Sequence, residues 1–291
     1  LCAALCWAFG GLIAFTPVNW LGPIGFNRVR MPLVFIMLSI LAIFTGGWSQ
    51  VGNYSFWAVF FSSIVGIFLG DSALFYTMNK MGPRRTAMLF ATNAPMTAVI
   101  SFICYSEKLS VNQILGCSIV LLGVFLAIAY GTTANQSHKW EQIKGSAMVG
   151  VIAGLIAALC QASGAIIIKP VMEQGADPVA VSAYRVGISA LFLVTFSWIQ
   201  QRNQKVNCYR PLTPKLVVWV GCSGFVGMAL GMTLLLYGLA NGEAGIITTL
   251  SATTPVMMLP LLWIKTKERP SIGSWLGAIF TVIGSGILFN F

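Results

Sequence analysis

Of the seven acidic residues in the chain, only Asp71 lies deep within a long apolar run. A carboxylate in hydrocarbon costs at least ~2.5 kcal/mol on insertion scales, so Asp71 must face either a wet cavity or a partner. A carboxyl in that position can take up and release a proton as its surroundings change. Equally, it can serve as a packing residue that hydrogen-bonds a neighbouring helix. Arg28 and Arg185 open their apolar runs, and Lys169 stands before Pro170 at the end of another. Such cations can recognise an anion or pair with a carboxylate, or simply snorkel to the lipid headgroups. Asn93 lies two residues before Pro95, and Thr248, Thr249, Ser251, Thr253 and Thr254 precede Pro255. A proline frees a backbone carbonyl that these side chains or a ligand can satisfy, so they read either as cavity wall or as glue between helices. Gln161 is a similar case. Trp7, Tyr76, Tyr184 and Tyr237 are the aromatics to place nearest a ligand, although aromatic residues also belt both membrane interfaces.

Catalytic and metal chemistry finds little support. Of the seven cysteines, Cys2, Cys6, Cys104, Cys117, Cys160 and Cys222 lie in or beside apolar runs, and only Cys208 is in a polar loop. There is no CxxC pair, and the single histidine, His138, has no other ligand type at metal-binding spacing. Neither a metal, a disulfide framework nor a cofactor is expected. An intramembrane enzyme would need paired aspartates, a Ser with a His base, or an HExxH helix. None is present, so the chain is not read as an enzyme.

The elements that position these residues follow from composition. The chain is 57% hydrophobic and 8% charged, with a mean hydropathy of +0.84, whereas soluble domains carry roughly a quarter charged residues. A spanning helix needs ~20 mostly apolar residues. The runs near 1–16, 28–46, 55–77, 85–104, 111–130, 145–168, 179–199, 215–238, 245–264 and 271–290 predict ten such spans. Breaks such as Pro17 to Pro23, Gly46-Gly47, Met81-Gly82-Pro83 and Glu268-Arg269-Pro270 are tight turns. The net charge of +10 lies between the runs and forms no basic patch interleaved with stacking aromatics, which argues against nucleic acid. Leu1 is already inside an apolar run, which predicts that further residues precede it.

The chain also repeats itself. Arg28, Val29 and Phe35 recur as Arg185, Val186 and Phe192 at an offset of 157. Gly66, Gly70 and Tyr76 recur as Gly227, Gly231 and Tyr237 at 161, and Pro95 recurs as Pro255 at 160. Glu107, Ser110, Leu115, Gly116 and Gly123 recur as Glu268, Ser271, Leu276, Gly277 and Gly284 at 161. Two halves are therefore expected: 1–133 and 145–291, joined by a loop over 134–144. With five spans in each, the second copy enters the membrane from the opposite side. Inverted copies of one unit suit alternating access to a midplane site. The symmetry breaks at Asp71 against Met232, Gln161 against Trp7, and Lys169 against the Thr16/Pro17 region. Those are the positions where a site should differ between halves.

Several of these residues together resemble the drug/metabolite transporter superfamily in its ten-span form with two EamA-type repeats. The second half has Lys169 closing one span, Arg185 opening the next, then Pro255 and Glu268. The first half has Arg28, the run Gly70-Asp71-Ser72-Ala73-Leu74-Phe75-Tyr76, then Gly82, Pro95 and Glu107. It departs from the family in lacking a lysine where Lys169 sits. The resemblance implies a multi-pass protein of a plasma or bacterial inner membrane with both ends in the cytoplasm. It also implies a secondary transporter, monomeric or homodimeric, that moves a small metabolite such as an amino acid, with export as the expected direction; coupling would be to a proton, which Asp71 could carry, to another ion, or to exchange. The basic residues argue for the opposite orientation: fourteen fall on the loop side shared by spans one and two, against Lys108 and Lys169 on the other. A channel or lipid scramblase is the alternative. However, no filter-like run of carbonyls or charges appears, and no G-x-x-x-x-G-K-[ST] loop supports a nucleotide-driven motor.

Overall fold

The computed structural model describes residues 1–49, 55–105, 110–130, 142–203, 212–241, 247, 251 and 253–290. Among the described residues there are helices and no strands, and they fall into ten successive helical segments. They are α1 (Cys2–Leu21), α2 (Pro23–Thr45), α3 (56–81), α4 (83–105), α5 (Val111–Ala129), α6 (Ala147–Glu173), α7 (Pro178–Asn203), α8 (Pro214–Asn241), α9 (Thr254–Thr266) and α10 (Ile272–Asn290). Six helical stretches are individually long and apolar enough to cross a bilayer, and three shorter apolar helices accompany them. The protein is an all-α multi-pass membrane protein.

Local chemistry sets the boundaries. Pro23 and Pro214 begin α2 and α8, where the missing N–H costs nothing. Ser110 and Gln113 form a capping box at the start of α5. Gly82, at φ 81° and ψ 169°, separates α3 from α4 with a backbone that a side chain would strain. Two boundaries differ from the sequence expectation. Pro17 lies inside α1, which continues to Leu21 and ends at Gly22, φ 76°. A bilayer leaves freed backbone groups no water to turn to, so a helix there tends to run through a proline. At its other end α3 extends to Met81, and Arg84 and Arg85 are buried within α4. Arg30 is buried as well. These three arginines are part of the interior, and the loop-charge count used for orientation loses them.

The helices of the first and second halves make matching contacts. The Ser62 hydroxyl donates to the Gly164 carbonyl at 2.7 Å, and the Ser223 hydroxyl, 161 positions later, donates to the Gly10 carbonyl at 3.2 Å. At both crossings α-carbons meet: a Cβ on Gly164 would lie 2.7 Å from Gly66 Cα, and a Cβ on Gly10 would lie 2.7 Å from Gly227 Cα. A π-helical segment interrupts α3 at Ser63–Leu69, and another interrupts α8 at Phe225–Leu230. In α4 the helix breaks at Ala91–Thr92, and a turn at Thr253 precedes α9. The freed carbonyls there are met alike, Thr92 donating to Leu89 and Thr254 to Ser251, each at 2.7 Å.

These matches also correct the register of the repeat between α2 and α7. Pro23 and Pro178 open their helices, so Arg185, seven residues on, matches Arg30 rather than Arg28. The Arg-Val pair that suggested an offset of 157 is a coincidence of sequence two residues out of phase.

Candidate functional site

Asp71 follows Gly70 at the end of the first π-helical segment, and π-bulges concentrate at functional sites. Its carboxylate Oδ2 accepts from Arg30 Nη2 on α2 in a buried salt bridge. The Arg30 guanidinium also lies over the rings of Phe75, at 4.4 Å from the centroid, and Phe26, at 5.4 Å. An arginine held by a carboxylate and two aromatic faces is fixed in position.

The equivalent place in the second half is built differently. Arg185 on α7 is 2% exposed. Its Nη1 donates to the Met232 sulfur at 3.6 Å and its Nη2 to the Ser62 carbonyl at 3.4 Å, while Nε has no hydrogen-bond partner among the described residues. Met232 occupies the position that Asp71 holds in the first half. Two buried guanidinium groups therefore stand near one carboxylate, and Asp71 is within electrostatic reach of both.

A cavity adjoins the ion pair. Trp7, Arg30, Asp71, Gln161 and Met232 line its mid-helix end, and it extends past Leu74, Phe75 and Met78 towards Pro83. Phe90 meets Trp7 edge to face at 6.1 Å. Thr86, Ser223 and Thr254 add hydroxyls, while Met228 and Met258 add adaptable apolar surface. Both halves contribute to the cavity wall, but beyond Asp71 it follows α3 of the first half. The counterparts of Leu74, Phe75 and Met78 are Leu235, Leu236 and Leu239, all of which pack in the main core with Leu38, Val186 and Leu193.

At the end towards Pro83 the surroundings are cationic. Lys144 Nζ donates to Asn19 Oδ1, which also accepts from Asn79 at 3.1 Å. Lys80 Nζ lies 5.6 Å from the centre of the Tyr76 ring. Burial, and secondarily Lys80, lower the Lys144 ammonium from its ordinary range. Arg84 donates to the Ser274 hydroxyl, and Arg85 to the Met81 carbonyl at 3.3 Å.

The structure gathers five of the sequence-selected residues, Asp71, Trp7, Gln161, Thr254 and, behind Met232, Arg185. The others lie elsewhere. Asn93 is buried with its Oδ1 unpartnered among the described residues, but it is not in the cavity wall. Tyr76 and Tyr237 are exposed on the outer surface of the bundle. Tyr184 packs against the main core and meets Phe56 at 6.4 Å. Lys169 lies inside α6, which continues through Pro170, and pairs with Glu173 at 3.3 Å. Arg28 is half-buried on α2, outside the cavity. Thr248, Thr249, Glu107, Lys108, His138 and Cys208 fall outside the described residues. Among the described residues no three His, Cys, Asp or Glu side chains cluster as a metal would require. The residue that sequence reasoning missed is Arg30, and its signal was the shared spacing from Pro23 and Pro178.

Comparison with known proteins bears on the whole chain. The EamA-like transporter family model matches residues 1–129 and 148–290. A WAT1-related protein of Arabidopsis thaliana is 26% identical over 160 residues, covering 52% of this chain and 40% of that protein. GDP-fucose transporter 1 of Monosiga brevicollis is 22% identical over 190 residues, covering 64% of this chain and 54% of that protein. Both matches span less than two thirds of the relative's length. A solved crystal structure superposes with a TM-score of 0.71 over 98% of this chain and 93% of its own. At 16% identity that likeness concerns the fold alone.

Proposed function

Because the chain belongs to the EamA-like transporter family, we propose that this membrane transporter is a secondary carrier that moves a small metabolite, such as an amino acid or related solute, by alternating access. The observation that carries the proposal is the one-sided cavity. Leu74, Phe75 and Met78 line it while also packing on a smaller core cluster, whereas Leu235, Leu236 and Leu239 at the matching positions pack in the main core and are not part of its wall. Two inverted repeats that exchange these conformations would close the first side and open the second around a fixed site. The glycine crossings, π-helical segments and broken helices, present in both halves, are the places where such an exchange can bend with little repacking.

Within this reading the solute binds between Trp7, Phe90 and the Arg30–Asp71 pair, and Asp71 carries the coupling proton. The groups facing Asp71 are Arg30 from α2 and Arg185 from α7. From α6, Cys160 contacts Gly70 and Gln161 lines the same cavity, as does Trp7 from α1. No second carboxylate competes for the proton among these. Export is the direction proposed.

The test is flux into proteoliposomes with radiolabelled amino acids presented in turn. A carrier gives saturable uptake that accelerates when unlabelled solute is loaded inside, whereas linear uptake without counterflow means a channel. Asp71→Asn should remove the dependence of flux on a pH gradient, and an unchanged dependence would refute the coupling role.

A further inference from the structure

Resting on the carrier reading, we infer that the transported solute is an organic monoanion, and that it completes a charge balance which the protein leaves open at Arg185. The buried centre of the molecule holds Arg30, Arg185 and Asp71, two positive charges and one negative. Arg30 has a carboxylate. Arg185 has only a thioether sulfur at 3.6 Å and a carbonyl at 3.4 Å, both long and weak contacts, and its Nε is unpartnered among the described residues. A buried guanidinium without a counter-ion is costly, and in a membrane interior a charge of this kind belongs to the functional pathway.

The repeat shows that this surplus is specific. The same position on α8 could carry a carboxylate, as its counterpart on α3 does, yet it carries Met232. Met232 lines the cavity on one side and contacts Arg185 on the other. A solute in the cavity is therefore separated from the second guanidinium by one flexible side chain, and Arg30 is directly in the wall. A monoanion seated there brings the sum over Arg30, Asp71 and Arg185 to zero. The approach is graded in the same direction. The cavity extends towards the Met81–Gly82–Pro83 turn, near which Lys80, Arg84, Arg85 and Lys144 lie outside its wall, and a local excess of positive charge favours an anion over a cation. The rest of the wall selects the body of the solute. Trp7, Phe90, Met78, Met228 and Met258 offer aromatic and polarizable surface, which suits an apolar or aromatic body carrying a single carboxylate or comparable group.

The experiment is binding in detergent, with thermal shift and calorimetry, of three solutes matched in shape: benzoate, benzamide and benzylamine. It needs no transport, so its outcome is independent of whether flux is saturable. The wild-type protein should bind benzoate at least about tenfold more tightly than benzamide and should reject benzylamine. Met232→Asp, which supplies Arg185 with the carboxylate Arg30 already has, should abolish that preference while the protein stays folded. Arg185→Gln should do the same, and Arg185→Lys should retain it. Benzamide or benzylamine binding as well as benzoate would overturn the inference. So would failure of benzoate to bind, or a preference unchanged in Met232→Asp.

Discussion

The two halves of this molecule share their scaffold and differ in their chemistry. At the crossings of α1 with α8 and α6 with α3 the same serine, carbonyl and glycine contacts appear twice. Beside each crossing stands a buried arginine at the same place on its helix. In the first half that arginine meets a carboxylate and borders a cavity; in the second it meets Met232, which packs in the main core and separates it from the same cavity. On the carrier reading proposed above, what moves is duplicated and what binds is not. A repeat that needs two equivalent hinges keeps its glycines and π-helical segments in both copies. A single asymmetric solute requires the pocket to differ between them.

The difference can be attacked first at the ion pair, where the largest effect is expected. Asp71→Ala strands the Arg30 charge, and breaking a buried pair from one side costs about 3–5 kcal/mol. Thermal unfolding in detergent should fall accordingly. The double variant Arg30→Met with Asp71→Leu should recover most of that stability, since apolar side chains of similar size replace a buried pair well, while flux stays absent. Recovery of flux together with stability would make the pair architectural.

The shared scaffold is tested next. Gly10→Ala and Gly164→Ala each place a methyl 2.7 Å from an opposing α-carbon, and overpacking of this kind costs about 1–3 kcal/mol. The two losses should be equal within error. Gly227→Ala meets its nearest neighbour at 3.5 Å, an ordinary contact, and should cost less than either. Unequal losses at Gly10 and Gly164 would break the equivalence of the crossings. The smallest effect belongs to Lys169 and Glu173, a half-exposed i,i+4 pair in the second half only. Lys169→Ala should change stability by about 0.5 kcal/mol or less, and flux should be unaffected.

Much of this was legible in the sequence, and the exceptions have physical causes. Runs of apolar residues gave the helices because a bilayer demands them, and Asp71 stood out because a lone intramembrane carboxylate is costly. Trp7, Gln161 and Met232 were found by asking where the repeat fails to repeat. Arg30 was hidden because its charge, two turns from Pro23, looks like an interfacial anchor, and because Arg28-Val29 imitates Arg185-Val186. Arg84 and Arg85 misled in the same way: adjacency to a Gly-Pro turn reads as a loop, whereas the helix restarts at once and turns both side chains inward. Tyr76 and Tyr237 recur faithfully at 161, and they lie on the exposed outer face in both halves. Conserved spacing between repeats marked the scaffold there, not the site.

The central claim is that the cavity beside the Arg30–Asp71 pair opens on one side in this conformation and on the other after the halves exchange. Side-specific labelling tests it most directly. Single cysteines at Met78 and at its counterpart Leu239, in a cysteine-free background, would be exposed in turn to an impermeant maleimide added from each face of oriented vesicles. The account predicts that Met78→Cys reacts from one face only and Leu239→Cys from the opposite face only, and that saturating solute shifts the two rates in opposite directions. Labelling of both positions from the same face, or rates that rise and fall together, would contradict it.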